Sequence, residues 1–153
     1  MATSAISGGV RVRRATPADI PQFPELCNQL GYPSSEDQAR ARFGGIDAAP
    51  DHALFVAEMA DGRLAGFLHV FVIRTMESEP RAEIGGLVVD GEQRSCGFGK
   101  LLMERAEMWA REQGCKIVSL RSNVIRERAH VFYERLGYKH VKTQKSFRRV
   151  LED

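Results

Sequence analysis

A chain of 153 residues, 43% of them hydrophobic, is long enough to bury one core and needs no second domain. Its formal charge of +2 and the scatter of its basic residues argue against a nucleic-acid partner. Its apolar runs fall far below the roughly 20 residues of a membrane helix, so a soluble protein without a membrane partner is expected.

Residues 1–9 are small and polar, with no apolar stretch behind a basic start, and are expected to be a disordered terminus ahead of a single domain over 10–153. Residues 10–15 alternate and predict a first strand. Thr16-Pro17 reads as an N-cap followed by proline at the first helical position, opening a helix to about Leu30 that Pro21 and Pro24 make irregular. Gly31-Tyr32-Pro33 stops it. Ser35 and Gln38 form a capping-box pair for a short helix through about Phe43.

Residues 53–59 and 64–73 are apolar segments joined through Asp61-Gly62, a strong hairpin signal, and should pair antiparallel. A fourth strand follows at 81–89, in which Gly85-Gly86 predicts a bulge that opens the sheet. In the next helix, 97–113, Leu101, Leu102, Ala106, Trp109 and Ala110 recur at helical spacing, and Gly114 caps it. A fifth strand at 116–121, a helix at 126–136 stopped by Gly137, and strands at 138–143 and 147–151 complete the chain. The basic groups Arg11, Arg13, Arg14 and Arg148-Arg149 are expected to flank strands at a solvated edge.

Three cysteines, Cys27, Cys96 and Cys115, form no Cys-x-x-Cys pair and leave an odd count, which argues against a disulfide framework and for a reducing, cytoplasmic setting. His52, His69, His130 and His140 lack metal-ligand spacing, so each reads as a surface or strand residue and no metal is expected.

The stretch richest in chemistry is Arg94-Ser95-Cys96-Gly97-Phe98-Gly99-Lys100, a basic glycine turn between a β-branched strand and an amphipathic helix. The first amides of a helix lack intrahelical partners and favour an anion, and glycine lets a phosphate approach them. Arg94 and Lys100 add charge. A P-loop is excluded, because Arg94 stands where its first glycine should be and Leu101 where its hydroxyl should be. The dinucleotide fingerprint fails at Leu102.

Arg-x-x-Gly-x-Gly after a strand resembles motif A of the GNAT family of N-acetyltransferases, whose turn binds the pyrophosphate of acetyl-coenzyme A. Asn123 and the pattern Ala129-x-x-Phe132-Tyr133-x-x-x-Gly137-Tyr138 resemble its motif B, and the order of elements matches throughout. The resemblance implies an α/β (α+β) GNAT fold, with a mixed, mostly antiparallel seven-stranded sheet, about four helices, and a splay between the fourth and fifth strands. Two positions depart from the family's habit: Ser95 follows the arginine where glycine is common, and Gly91 stands three residues before it where proline is common.

The resemblance further implies that pantetheine lies along the fourth strand against backbone groups of Leu87, Val88 and Val89, an amide near Val88 facing the thioester oxygen, and that residues 94–100 hold the diphosphate. Asn123 would orient the pantetheine or act as a plain turn residue. Tyr133 stands at the position of the acid that protonates the departing thiolate; a phenol of pKa about 10 suits a thiol of about 8.5. Glu83 stands where some members carry a catalytic glutamate. A carboxylate near 4.3 is poorly matched to an ammonium near 10.4, so that role needs burial or a water relay. Glu77 and Glu79 are rim candidates.

The implied activity is direct acetyl transfer from acetyl-coenzyme A to a small-molecule amine in a ternary complex, by a monomer or homodimer. A non-catalytic acyl-coenzyme A module and a transferase acting on protein amino groups remain the alternatives.

Overall fold

The computed structural model describes residues 5–7 and 9–152. The chain forms two compact units, one up to Leu120 and the other from Arg121 onward.

In the first unit six strands lie side by side in chain order: β1 (Ala5–Ser7), β2 (Val10–Arg14), β3 (His52–Glu58), β4 (Leu64–Thr75), β5 (Ser78–Val89) and β6 (Val118–Leu120). All neighbours are antiparallel except β5 and β6, which run parallel. Ala5–Ser7, expected to be disordered, instead pair with β2, because Val10–Ser7 closes a tight antiparallel ladder. Residues 1–4 and 8, the rest of that expectation, lie outside the described residues.

The expected irregularity is present, although Pro24 stands in the first turn of a helix instead of kinking one. Pro17–Gln22 is a 3-10 turn, and α1 (Phe23–Leu30) begins only after it, ending at Gly31. The Ser35–Gln38 capping box opens α2 (Glu36–Ala48), which outruns its expected end at Phe43. Gly44 and Gly45 cost a helix about 1 kcal/mol each, but the next turn carries Ile46 back to the same buried side as Ala39 and Phe43.

Alternation along β3 sorts the helices onto opposite faces of the sheet. Val56 packs in the cluster of Phe23, Leu26, Phe43 and Phe67, under α1 and α2. Its neighbour Phe55 lies beneath the guanidinium of Arg105, at 4.5 Å, on α3 (Phe98–Glu112). The helical-period residues Leu102, Ala106, Trp109 and Ala110 are buried there; Arg105 joins them by spreading its planar group over the ring.

Arg13 is no solvated edge residue. It donates two 2.8 Å hydrogen bonds to Asp19 and one to Glu58, tying β2 to the 3-10 turn and to β3. Burial alone would raise the Asp19 carboxyl, but bonds from Arg13 and the Thr16 amide hold it below the usual range.

The expected bulge is present. His69 pairs with Gly86 and Val70 with Ile84, so Gly85 is the extra residue of β5. The parallel ladder to β6 covers only Ala82, Glu83 and Ile84, and beyond them no strand covers that side of β5 among the described residues. The expected fourth and fifth strands are therefore β5 and β6, and the sheet opens between them.

The second unit contains α4 (Glu127–Arg135), followed by Gly137 at φ 96°. The strands expected at 138–143 and 147–151 do not form; five of the seven expected strands are present, and β1, which is not among them, makes the described sheet six-stranded rather than seven-stranded. Val141, Phe147, Val150 and Leu151 are each at least 76% exposed, and a strand without a ladder partner has nothing to satisfy its amides or cover its apolar face. No helix among the described residues is long and apolar enough to cross a membrane.

Candidate active site

Residues 94–100 form an exposed basic turn that enters α3. After a short 3-10 turn, Gly91–Gln93, the backbone runs through Arg94 and Ser95 to Gly97, the N-cap of α3 at φ 84°. That left-handed geometry is ordinary for glycine and strained for other L-residues. The first intrahelical bond shown is Leu101 N–H to the Gly97 carbonyl, at 3.1 Å. The amides of Phe98, Gly99 and Lys100 precede it, and no acidic side chain stands in this first turn. Arg94, Ser95, Cys96 and Lys100 are exposed, whereas Gly99 is buried and Phe98 half-buried.

Ser95, at φ 67°, is the one non-glycine residue with a left-handed backbone among the described residues. It occupies the position at which the family often has glycine. Ser95→Gly is expected to relieve this strain and stabilise the protein by about 1 kcal/mol, a Tm rise of about 2–4 °C. A thermal melt that is unchanged or lowered would refute the strain.

The register along β5 decides which backbone groups face the opening. Asp90 N–H donates to the Ala65 carbonyl at 2.7 Å, so by antiparallel alternation Val88 and Phe67 form the next hydrogen-bonded pair. The Val88 amide is thus turned towards β4, and those of Leu87 and Val89 point to the open side. Val88 is buried in the α1/α2 core; Leu87 and Val89 are half-buried.

On the α1/α2 face lies a cleft of about 180 Å³. Its walls are mainly apolar, with Phe23, Phe43, Leu54 and Phe67 among them, and Gly85 and Gly86 of the bulge contribute backbone. Gly85 is there because of close approach: a β-carbon would come within 2.7 Å of His69 Nδ1 and 3.0 Å of Phe71.

His69 lines the cleft and forms a three-ring cluster with His52 and Phe71, every pair of ring centres lying 5.0–5.2 Å apart. Its Nε2 is 2.9 Å from His52 Nδ1. Burial, with His52 beside it, pushes His69 down to about 4, so it is neutral at neutral pH. Reading these histidines singly misses the pair. The signal was available: counting back from Asp61-Gly62 sets Leu54 opposite His69, with His52 on the same face diagonal to it.

Glu83 is buried, at 8% exposure, in the part of β5 flanked by β4 and β6. It pairs with Phe71 and so shares the cleft's side of the sheet, although it is not among the residues lining the cleft. Glu77 and Glu79 sit at the exposed β4–β5 turn.

In the second unit, Asn123 builds the entry to α4. Its Oδ1 accepts from the Ile125 amide at 3.1 Å, and its carbonyl accepts from the Arg126 amide. Tyr133 lies on α4 edge-on to Phe132 and Tyr138. Burial raises its phenol above the ordinary value against a smaller opposing effect of Arg126, so its proton is retained at neutral pH.

The mixed sheet opened beside β5, with the glycine-capped turn into α3, defines a GNAT fold. The chain belongs to the acetyltransferase (GNAT) family, whose model matches residues 17–138. It is 28% identical over 149 residues to the uncharacterized N-acetyltransferase MJ1207 of Methanocaldococcus jannaschii, covering 92% of this chain and 66% of that protein. It is 26% identical over 125 residues to the aminoglycoside N(6')-acetyltransferase type 1 of Serratia marcescens, covering 78% and 86%. The fold is shared with the aminoglycoside N-acetyltransferase AAC(6')-Iy, solved with the bisubstrate analog CoA-S-monomethyl-acetylneamine, at a TM-score of 0.81 and 21% identity over 93% and 99% of the two chains.

Proposed function

We propose that this protein is an acetyl-coenzyme A-dependent N-acetyltransferase whose acceptor is a small-molecule amine, and that residues 10–153 act as one domain. The family match supports the domain reading by running across the division at Leu120. The observation that carries the activity is the pairing of an amide-lined, acid-free turn at 94–100 with an opened edge of β5. A diphosphate needs the first and an extended amide-bearing arm the second.

Acetyl-coenzyme A supplies an activated acetyl thioester. The chain's part is to hold and orient it. Arg94 and Lys100 offer charge, and the amides of 98–100 offer donors. The outward groups of Leu87 and Val89 pair with the arm, and one of those two amides, rather than that of Val88, donates to the thioester oxygen. Cys96 and Ser95 contribute backbone to the same turn, and Asn123 stiffens the entry to α4. The Tyr133 hydroxyl is the proton donor to the departing sulfur. The presence of a tyrosine at this position supports an active transferase over a non-catalytic binding module.

The cleft supports a small acceptor, because its volume is that of a small molecule and the bulge glycines bring it to the opened edge of β5. Glu83 is the proposed base. Glu83→Gln keeps the size and removes the charge, so log(kcat/KM) at neutral pH should fall and its ascending limb move to higher pH. A pH profile superimposable on the parent's would eliminate Glu83. Calorimetry with acetyl-coenzyme A, followed by a thiol-release screen over amines, tests the whole reading; absence of binding would overturn it.

A further inference from the structure

The cleft on the α1/α2 face has an uneven chemistry. Of the residues that line it, Arg42 alone carries charge at neutral pH, since His69 is held neutral and no aspartate or glutamate contributes to the lining. Asp47, on the same helix, lines a different and smaller pocket, and Glu83 stands off the walls. Arg42 is exposed and donates to Ser34 Oγ at 2.8 Å. No carboxylate neutralises it among the described residues. Phenylalanines, leucines and an isoleucine make up half of the remaining wall, with Ala39 and the two glycines beside them, and such a surface offers few side-chain hydrogen-bond partners.

A polycationic, polyhydroxylated acceptor fits this lining poorly. Each further ammonium would be desolvated against hydrocarbon with no carboxylate to meet it, and its hydroxyls would lose water without replacement. An amine with an apolar body and a carboxylate fits on both counts: the hydrocarbon covers the aromatic wall, and the carboxylate meets a guanidinium whose fork matches it. We propose that the acceptor is an apolar amine bearing a carboxylate, of the amino-acid type, held by Arg42 of α2, and not an aminoglycoside-like polycation. This inference rests on the transferase reading above and goes beyond it in naming the acceptor class.

The test measures thiol release and acetyl-coenzyme A binding with the whole chain. The probes are leucine and phenylalanine, the amines that lack their carboxylates, isoamylamine and phenethylamine, and kanamycin. The amino acids are expected to exceed their decarboxylated partners by about 10-fold or more in kcat/KM, the size of one charge-assisted pair, with kanamycin below both. Arg42→Ala should remove most of that preference while leaving acetyl-coenzyme A affinity unchanged, and Arg42→Lys should restore part of it. The exposed position of Arg42 keeps these variants folded.

Kanamycin as the best substrate, or equal rates with and without the carboxylate, would overturn the assignment. So would acetyl-coenzyme A binding with turnover of none of these amines, which leaves the cofactor reading standing. Failure to bind acetyl-coenzyme A overturns the transferase reading, and the acceptor class with it.

Discussion

Gly97→Val is expected to weaken acetyl-coenzyme A binding by about 10-fold or more, read by calorimetry, in a protein that keeps its circular dichroism. Among the described residues, nothing beyond its own chain neighbours lies within 4 Å of where a β-carbon at residue 97 would stand, so the damage is conformational rather than a clash. With φ at 84°, a β-branched residue costs at least the roughly 1–2 kcal/mol of a left-handed L-residue. The inexpensive escape is to rotate the backbone out of that region, which turns the amides that begin α3 away from a common centre. Either route also sets a side chain in the path of a phosphate. Arg94→Ala removes charge without touching the backbone and should cost only several-fold. If both folded variants bind as tightly as the parent, the turn at 94–100 is not a diphosphate cradle.

Tyr133→Phe should lower turnover by about 10- to 1,000-fold with unchanged cofactor affinity, since it deletes one hydroxyl and keeps the ring. The ring's edge contacts with Phe132 and Tyr138 survive the change, so stability should hardly move. The raised phenol pKa has a definite sign here. Burial disfavours the phenolate, so the parent's acid stays loaded through the neutral and mildly alkaline range, and no descending limb from Tyr133 is expected below its ordinary value near 10. Turnover unaltered in a regime where chemistry limits the rate would return Tyr133 to a packing role.

Local chemistry carried most of the architecture into the sequence. Thr16-Pro17, the Ser35–Gln38 box, Asp61-Gly62 and Gly137 each act within a few residues, so their effects on α1, α2, the β3–β4 hairpin and α4 are readable along the chain. The Gly85-Gly86 bulge and the glycine-capped entry to α3 are legible for the same reason. The pattern at 138–143 and 147–151 does not become strand, because alternation reports only that a segment suits a sheet. Whether a partner ladder stands beside it is a question of distant residues, which the local pattern does not contain.

By itself, the amino-acid order determined most elements up to α4 and the turn that leads into α3, because each depends on spacing shorter than a helix, and two such local motifs in order pointed to the family. Only the tertiary structure decided the rest. Which amides of β5 face outward depends on its phase against β4, and a shift of one residue would have exposed Val88 instead of Leu87 and Val89. His52 meets His69, and Arg13 meets Asp19 and Glu58, through pairings and packing that a linear scan does not contain. The charge of the cleft follows likewise from which face of α2 turns inward: Arg42 reaches the wall, while Asp47, five residues on, faces another pocket.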